Sequence, residues 1–350
     1  MKVLVTGSQG FIGSYICEGL LKHNYEVIGV DNYQKYGELV RPHDSHPNFK
    51  FYNLNILSPD FQYLVDSICP DYIVAGAAMI GGISYFHKYA YDLMATNERI
   101  LAATFDSAIR NLNNGLKRII VLSSSMVFEN TELYPTPETE VLNAPPPSST
   151  YGFQKLASEY FAKGAWEQYK LPYTIVRPFN CVGVGEEKAL GDSEVSSGNI
   201  KLMLSHVLPD LINKIKSGQD PVHILGSGDQ IRCYTNGKDI GRGIRIIIES
   251  EAAVNEDFNI SIAQPTSVLE LAEMVWNKIN PDKTFSYVSD DPFEYDVQKR
   301  IPDVTKAKVL LGFTAEIPLS ESIDEVIDYL KWKAHFYYQH TTEKIYYIIA

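Results

Sequence analysis

Tyr151 and Lys155 stand four residues apart at the start of a segment with helical spacing, so their side chains share one face. An ammonium close to a phenol favours the phenolate. To serve as a base near neutrality, a phenol with an ordinary pKa of ~10 must gain roughly 4 kcal/mol of differential interaction. A tyrosine so activated can take the proton from a substrate hydroxyl while hydride leaves the same carbon. The spacing alone carries little weight, because it recurs at Tyr234/Lys238, Tyr295/Lys299 and Tyr329/Lys333 in a chain of 23 tyrosines. Context separates Tyr151. It follows an apolar run ending in Leu122-Ser123-Ser124-Ser125, where Ser124 can hydrogen-bond the same hydroxyl. The stiff stretch Ala144-Pro145-Pro146-Pro147-Ser148 then leads into a polar helix start.

A second constellation lies at the N-terminus. Gly7-Ser8-Gln9-Gly10-Phe11-Ile12-Gly13 follows the first apolar run and opens a helix. Glycine dihedrals permit a tight turn, and the bare backbone can approach a pyrophosphate closely, with helix N–H groups donating to it. By itself such a loop is equally a glycine-rich turn without a ligand. Its place after a strand matters, as does Asp31-Asn32 at the end of the second strand, about 18 residues past the last glycine. An acid there accepts hydrogen bonds from an adenosine ribose and repels a 2′-phosphate, so NAD is expected over NADP. The positive charge of oxidised nicotinamide would further favour the Tyr151 phenolate.

These groups need a scaffold that brings strand ends together. Lys2–Thr6, Glu26–Val30, Phe49–Leu54, Tyr72–Ala77, Arg118–Leu122 and Tyr173–Val176 are short and apolar. Between them, Gly13–His23 and Asp92–Asn111 carry apolar residues at three- and four-residue spacing. The alternation predicts βαβ units and a Rossmann-type, doubly wound parallel sheet, an α/β fold with ligands at the carboxyl ends of its strands. Residues 1–180 are expected to form the NAD-binding domain and residues 181–338 a smaller α/β substrate domain. Some later segments can return to the sheet. The second part contains amphipathic Val207–Ile215 and Val268–Ile279, strand candidates Val222–Leu225 and Phe258–Ile262, and a final helix from Ser320 to about Tyr338. The apolar tail 339–350 is expected to dock or to form an interface.

Composition narrows the partners. Apolar residues make up 45% and charged residues 21% of the 350, the balance of a globular chain. A net charge of −12 argues against nucleic acid and leaves a small phosphate-bearing ligand open. The N-terminal apolar run is too short for a secretory signal, and the longest uncharged stretch, Tyr72 to Phe86, is too short for a membrane span. Cys17, Cys69, Cys181 and Cys233 are scattered, so no metal site is expected. A reduced, cytoplasmic enzyme is the expectation.

Taken together the motifs resemble the extended short-chain dehydrogenase/reductase family, in its nucleotide-sugar epimerase/dehydratase branch, over most of the chain. Thr6–Ser14 is similar to T-G-x-x-G-F-I-G-S, and Arg177-Pro178-Phe179-Asn180 to the R-P-F-N beside the sugar. Gly226–Arg232 is similar to the segment whose arginine grips the diphosphate, and Arg300–Asp303 with Leu311-Gly312-Phe313 to the C-terminal motif. The resemblance implies Ser124, Tyr151 and Lys155 as catalytic residues. It implies cofactor contacts from Gly7, Gly10, Phe11, Ile12 and Gly13, from Asp31, Asn32, Asn55 and Ile56, and from Ala77, Ala78, Asn97, Tyr151, Lys155 and Phe179. Substrate contacts are implied for Ser125, Met126, Asn180, His206, Arg232 and Arg300. It also implies a homodimer packed through Asp92–Asn111 and Thr150–Tyr169. The chain departs from the family at Ala75-Gly76-Ala77-Ala78, which lacks a preceding histidine, at Asn55, where an acid is usual, and at Phe128-Glu129, where tyrosine and glycine are usual.

Within the branch, dehydratases and decarboxylases carry an acid/base two residues beyond the catalytic serine. This chain has Met126, and a thioether neither gives nor takes a proton near neutral pH. Hydride removal and return on the other face, a 4-epimerisation that regenerates NAD, is the expected reaction on a nucleotide-diphosphate sugar. Met79-Ile80-Gly81-Gly82-Ile83 and Ser205-His206-Val207 resemble GDP-fucose synthase more than UDP-galactose 4-epimerase. They keep a 3,5-epimerase, a dehydrogenase or a reductase open, with His206 an acid, a ligand contact or a helix-start residue. His87 reads as a loop histidine. A non-catalytic NAD sensor is the remaining alternative, and it has no use for an activated tyrosine.

Overall fold

Runs of branched apolar residues between polar turns can be buried on both faces of a sheet, and the chain uses them so. The computed structural model describes residues 1–80, 89–186, 196–197, 200–201, 207–292 and 297–332. In it β1 (Lys2–Thr6), β2 (Glu26–Asp31), β3 (Phe49–Asn53), β4 (Tyr72–Ala75), β5 (Arg118–Leu122), β6 (Tyr173–Pro178) and β7 (Glu256–Ile260) form one sheet. The order is β7-β6-β5-β4-β1-β2-β3, with every neighbouring pair parallel. This is the doubly wound α/β sheet expected from the sequence. Strand order reverses between β1 and β4, which opens a crevice at their carboxyl ends.

The helices among the described residues are α1 (Phe11–Leu21), α2 (Pro59–Ile68), α3 (Ala90–Asn111), α4 (Thr150–Tyr169), α5 (Val207–Lys216), α6 (Gly237–Glu249), α7 (Val268–Ile279) and α8 (Thr305–Leu311), followed by a helical stretch over residues 319–332. Alternation along β1 sends Val3 and Val5 to one core, with Ile16 and Leu20 of α1 and Ile240, Ile244 and Ile247 of α6. Leu4 goes to the other, with Phe61 of α2, Phe105 of α3 and Ala162 of α4. A third core joins Leu208 and Ile212 of α5, Val275 and Trp276 of α7, and Ile323 and Ile327 of the last helical stretch. A capping box at Ser267 and Glu270 starts α7.

The chain crosses back after residue 180. The strand expected at Phe258–Ile262 runs over Glu256–Ile260, and it extends the sheet by pairing with β6, Phe258 opposite Val176. Arg177 locks this junction. Fully buried, it binds Glu159 of α4 at 2.7 Å and Asp257 of β7 at 2.8 Å. The expected extension of the last helix to Tyr338 and the tail 339–350 lie outside the described residues.

Candidate active site

The carboxyl ends of β1, β2, β4, β5 and β6 open into one cleft of about 450 Å³. Gly7 makes its first turn, at a φ of +73°, and its carbonyl accepts the Gly10 N–H at 3.0 Å. A Cβ on Gly13 would lie 2.0 Å from the Gly7 oxygen, so α1 must enter directly beneath the turn. Gly7, Gly10, Phe11, Ile12 and Gly13 all line the cleft. Thr6 Oγ1 accepts the N–H groups of Gly76 at 3.0 Å and Ala77 at 3.1 Å, which fixes the end of β4 against β1.

Asp31 closes the far end of this half. Its carboxylate accepts the Gln9 N–H at 3.1 Å and the Tyr33 N–H at 2.8 Å. Burial still raises its pKa, against those bonds and the Arg41 guanidinium, which lower it. Asn32, Asn55, Ile56, Ala77 and Ala78 stand along the same wall. A backbone cradle free of side chains, ending in a strand-end carboxylate, fits a dinucleotide. A Cβ at position 13 would fill it.

Arg41 belongs to this half and carries no signal in the sequence, since it sits in a polar loop without periodicity. It is buried, and its guanidinium donates to the Gln9 carbonyl through Nε at 3.1 Å and Nη2 at 2.7 Å. Nη1 donates to the Gly185 carbonyl at 2.8 Å. Asp44 completes the clasp, accepting from Arg41 N at 2.7 Å and Gln9 Nε2 at 2.8 Å. Gln34 and Lys35 are further lining residues that sequence reasoning passed over.

The proton-handling groups meet at the cleft's centre. Ser124, Ser125, Met126, Tyr151 and Lys155 all line it. Ser124 stands beside the Tyr151 hydroxyl and favours its phenolate, and Lys155 Nζ lies 6.0 Å from the Tyr151 ring centre. Lys155 donates to the Leu122 carbonyl at 2.9 Å. Burial pulls its pKa down to about 8, with Glu98 acting in the opposite direction. The tyrosine shift expected from the sequence needs correction for the protein by itself. Burial raises the Tyr151 phenol, and the opposing groups are Ser124 and the Arg300 guanidinium.

The substrate side is less uniform. Asn180, at φ +34°, lines the cleft, and its Nδ2 is buried without a hydrogen-bond partner among the described residues. Arg300 lines it too. Arg232 sits opposite Arg300 in a short parallel pair of strands, yet it is buried outside the cleft lining. Its Nη1 donates to the Ile231 carbonyl at 2.9 Å. Two residues expected to contact the cofactor stand outside the cleft lining. Asn97 stands behind the cleft, its Oδ1 accepting the Met79 N–H at 2.6 Å and its Nδ2 donating to the Met79 carbonyl at 2.9 Å. It holds the loop after β4. Phe179 is buried against Val127 and Phe128, its ring 6.4 Å from that of Phe128. His87 and His206 lie outside the described residues, as do most of residues 187–206. Among the described residues no group of side chains could hold a metal ion.

Known proteins are similar to this chain in sequence and fold. Residues 3–261 match the family described as NAD dependent epimerase/dehydratase. A putative UDP-glucose 4-epimerase of Methanocaldococcus jannaschii is 27% identical over 330 residues, which cover 94% of this chain and 98% of that protein. UDP-glucuronic acid decarboxylase 1 of Xenopus tropicalis is 25% identical over 94% of this chain and 72% of its own length. The crystal structure of UDP-glucose 4-epimerase with UDP-glucose from Thermotoga maritima is 28% identical and superposes with a TM-score of 0.79, covering 95% of this chain and all of that one. The glycine cradle, the carboxylate at the end of β2 and a family match across three quarters of the chain lead to one assignment: the chain belongs to the NAD dependent epimerase/dehydratase family, in the nucleotide-sugar branch of the extended short-chain dehydrogenases, and its cofactor is NAD.

Proposed function

We propose that the protein is a nucleotide-sugar 4-epimerase acting on a UDP-sugar. The observation that carries the reading is the wall around the Tyr151 hydroxyl. Leu93 and Met126 pack against Tyr151, with Ile80 and Val297 beside them. At the position where decarboxylation or dehydration would call for a proton carrier, the wall is a thioether. The same feature weighs against the decarboxylase activity named for some relatives.

When bound, NAD supplies a hydride acceptor and, once reduced, a hydride donor. The chain's own part is to hold and move one proton. Tyr151 takes it from the sugar hydroxyl as that carbon is oxidised and returns it when the ketone is reduced, so the residue ends each cycle as it began. Ser124, beside the Tyr151 hydroxyl, holds the sugar oxygen in line. Lys155, fixed by the Leu122 carbonyl, supplies positive charge that favours the phenolate. Arg300 adds a second positive charge and a planar set of donors suited to a diphosphate. Asn180 offers its unused amide to the sugar. Arg232 supports Arg300 from the neighbouring strand.

Dimerisation through α3 and α4 is part of the proposal, supported by the exposed Tyr91, Phe153 and Tyr160 on those helices. Among the described residues no helix is long and apolar enough to cross a membrane. The test is to purify the protein with its NAD and offer UDP-glucose, UDP-galactose and their uronic acids. Interconversion of two epimers with no net change at 340 nm supports the reading. A stoichiometric change at 340 nm overturns it in favour of a dehydrogenase or reductase, and a released carbon dioxide in favour of a decarboxylase.

A further inference from the structure

We propose that Glu129 is a positioning residue for the Ser124–Tyr151 pair, an inference that rests on the catalytic reading of Tyr151. Ser124 caps the start of a single 3-10 turn over Ser125–Phe128, its hydroxyl accepting the Met126 N–H at 3.2 Å, and Glu129 caps the end of that turn. The Glu129 N–H donates back to the Met126 carbonyl at 3.2 Å. From there its carboxylate reaches the first turn of α4. Oε2 accepts the Ser149 N–H at 3.0 Å and the Ser149 hydroxyl at 2.8 Å. Ser149 Oγ in turn accepts the Gly152 N–H at 3.0 Å, which makes Ser149 the N-cap of the helix that carries Tyr151.

The contacts form a chain between the two elements. Ser124 begins the turn, Glu129 ends it, and Ser149 joins Glu129 to α4, whose first turn sets Tyr151 beside Ser124. Through Glu129 the two elements that carry the reacting hydroxyls are tied by charge-assisted bonds as well as by the intervening chain of residues 130–148. The negative charge also faces a helix N-terminus, where it is favoured. The two pieces approach so closely that a Cβ on Gly152 would lie 2.9 Å from Glu129 Oε2 and 2.8 Å from the Met126 carbonyl. Asn130 adds a second tie, donating to the Pro146 carbonyl at 2.7 Å and to Ser148 Oγ at 3.0 Å. Glu129 itself neither lines the cleft nor touches a reacting group. Its effect runs through the placement of Tyr151.

Three variants test this on the purified, NAD-loaded protein, with the UDP-sugar it turns over. Glu129→Ala is expected to lower kcat about 10- to 100-fold, the scale of a ~1 Å misplacement of reacting groups, with KM little changed. Glu129→Gln keeps an oxygen that accepts from Ser149 and is expected to recover most of that loss. Amide exchange over residues 149–153, measured without substrate, should quicken in Glu129→Ala and not in Glu129→Gln. Wild-type kcat in Glu129→Ala overturns the proposal, and so does a lowered unfolding midpoint with kcat per folded molecule intact. Tyr151→Phe run in parallel separates the two ways to fail. Turnover surviving in that variant removes the reading of Tyr151 and the role of Glu129 with it. Turnover lost there but intact in Glu129→Ala removes Glu129 alone.

Discussion

In the cofactor half of the cleft, Gly7 to Gly13, Asp31, Asn55 and Ala77 come from the carboxyl ends of four adjacent strands, and mostly backbone faces the ligand space. In the substrate half, Ser124, Asn180 and Arg300 arrive from segments 56 and 120 residues apart, and side chains face it. The first half is therefore written in contiguous motifs, because a turn that must pass close to a phosphate constrains neighbouring residues together. The second is assembled by the fold. Its members share no spacing, and each can be replaced without disturbing the others' backbone.

The comparison breaks if a proton-handling change disturbs cofactor binding. Tyr151→Phe removes the hydroxyl beside Ser124 and keeps the ring that packs on Met126. Turnover should fall about 10²–10⁴-fold, the range of a general base, with NAD affinity near wild type by isothermal titration. Undiminished turnover would take the proton step away from Tyr151.

Lys155 tests what the site costs the fold. Burial pulls its pKa down to about 8 from an ordinary 10.5, so a charged Lys155 is disfavoured in the folded state. At neutral pH this amounts to about 3 kcal/mol against folding. Lys155→Met should lose turnover and gain stability of that order in urea unfolding. The gain is largest below pH 8, where folded and unfolded chains are both protonated at Lys155. It shrinks as pH rises towards 10.5, because the folded protein has then shed a proton that the unfolded chain retains. An unchanged or lower stability at pH 7 would show that the Leu122 carbonyl and Glu98 fully offset the burial.

Two substitutions of similar size sharpen the contrast from opposite sides. Gly13→Ala pushes a methyl group against the Gly7 oxygen, which is backbone and must move. An overpacking cost of ~1–3 kcal/mol weakens NAD about 10- to 100-fold. Arg300→Ala should instead raise KM for the nucleotide sugar by a similar factor, about 10- to 100-fold for the loss of a charged donor, with NAD affinity unchanged. If both variants weakened both ligands equally, the two halves would be one site energetically.

The sequence made much of this legible, for physical reasons that also explain its gaps. The apolar runs Lys2–Thr6 and Arg118–Leu122 coincide with β1 and β5 residue for residue, because strands covered on both faces leave no doubt about period or bounds. The glycine turn and Asp31 were readable because dihedral freedom and strand-end position belong to single residues. β7 was readable as a strand, but its partner was not, since pairing with β6 depends on a register and on the Arg177–Asp257 contact across eighty residues. Asn97 and Phe179 had spacing that fits the family, but spacing did not foretell their bonds to Met79 and packing on Phe128. Arg41 and Glu129 act on backbone groups far along the chain, and such contacts imprint no periodicity on the residues that make them.

Arg41 gives the smallest expected effect and the sharpest probe, because it alone among the clasp residues touches both halves. Its fork holds the Gln9 carbonyl beside the glycine turn and the Gly185 carbonyl at the entrance to the second half. Arg41→Met keeps much of the buried volume and removes the donors, leaving two carbonyls unpaired at a cost of ~1–2 kcal/mol. If the strain falls on the glycine turn, NAD affinity drops about tenfold and KM for the sugar holds. If it falls on Gly185, the sugar KM rises instead. Equal change in both would mean that Arg41 couples the two halves, so that order in the cofactor turn and in the segment after Val182 is gained together.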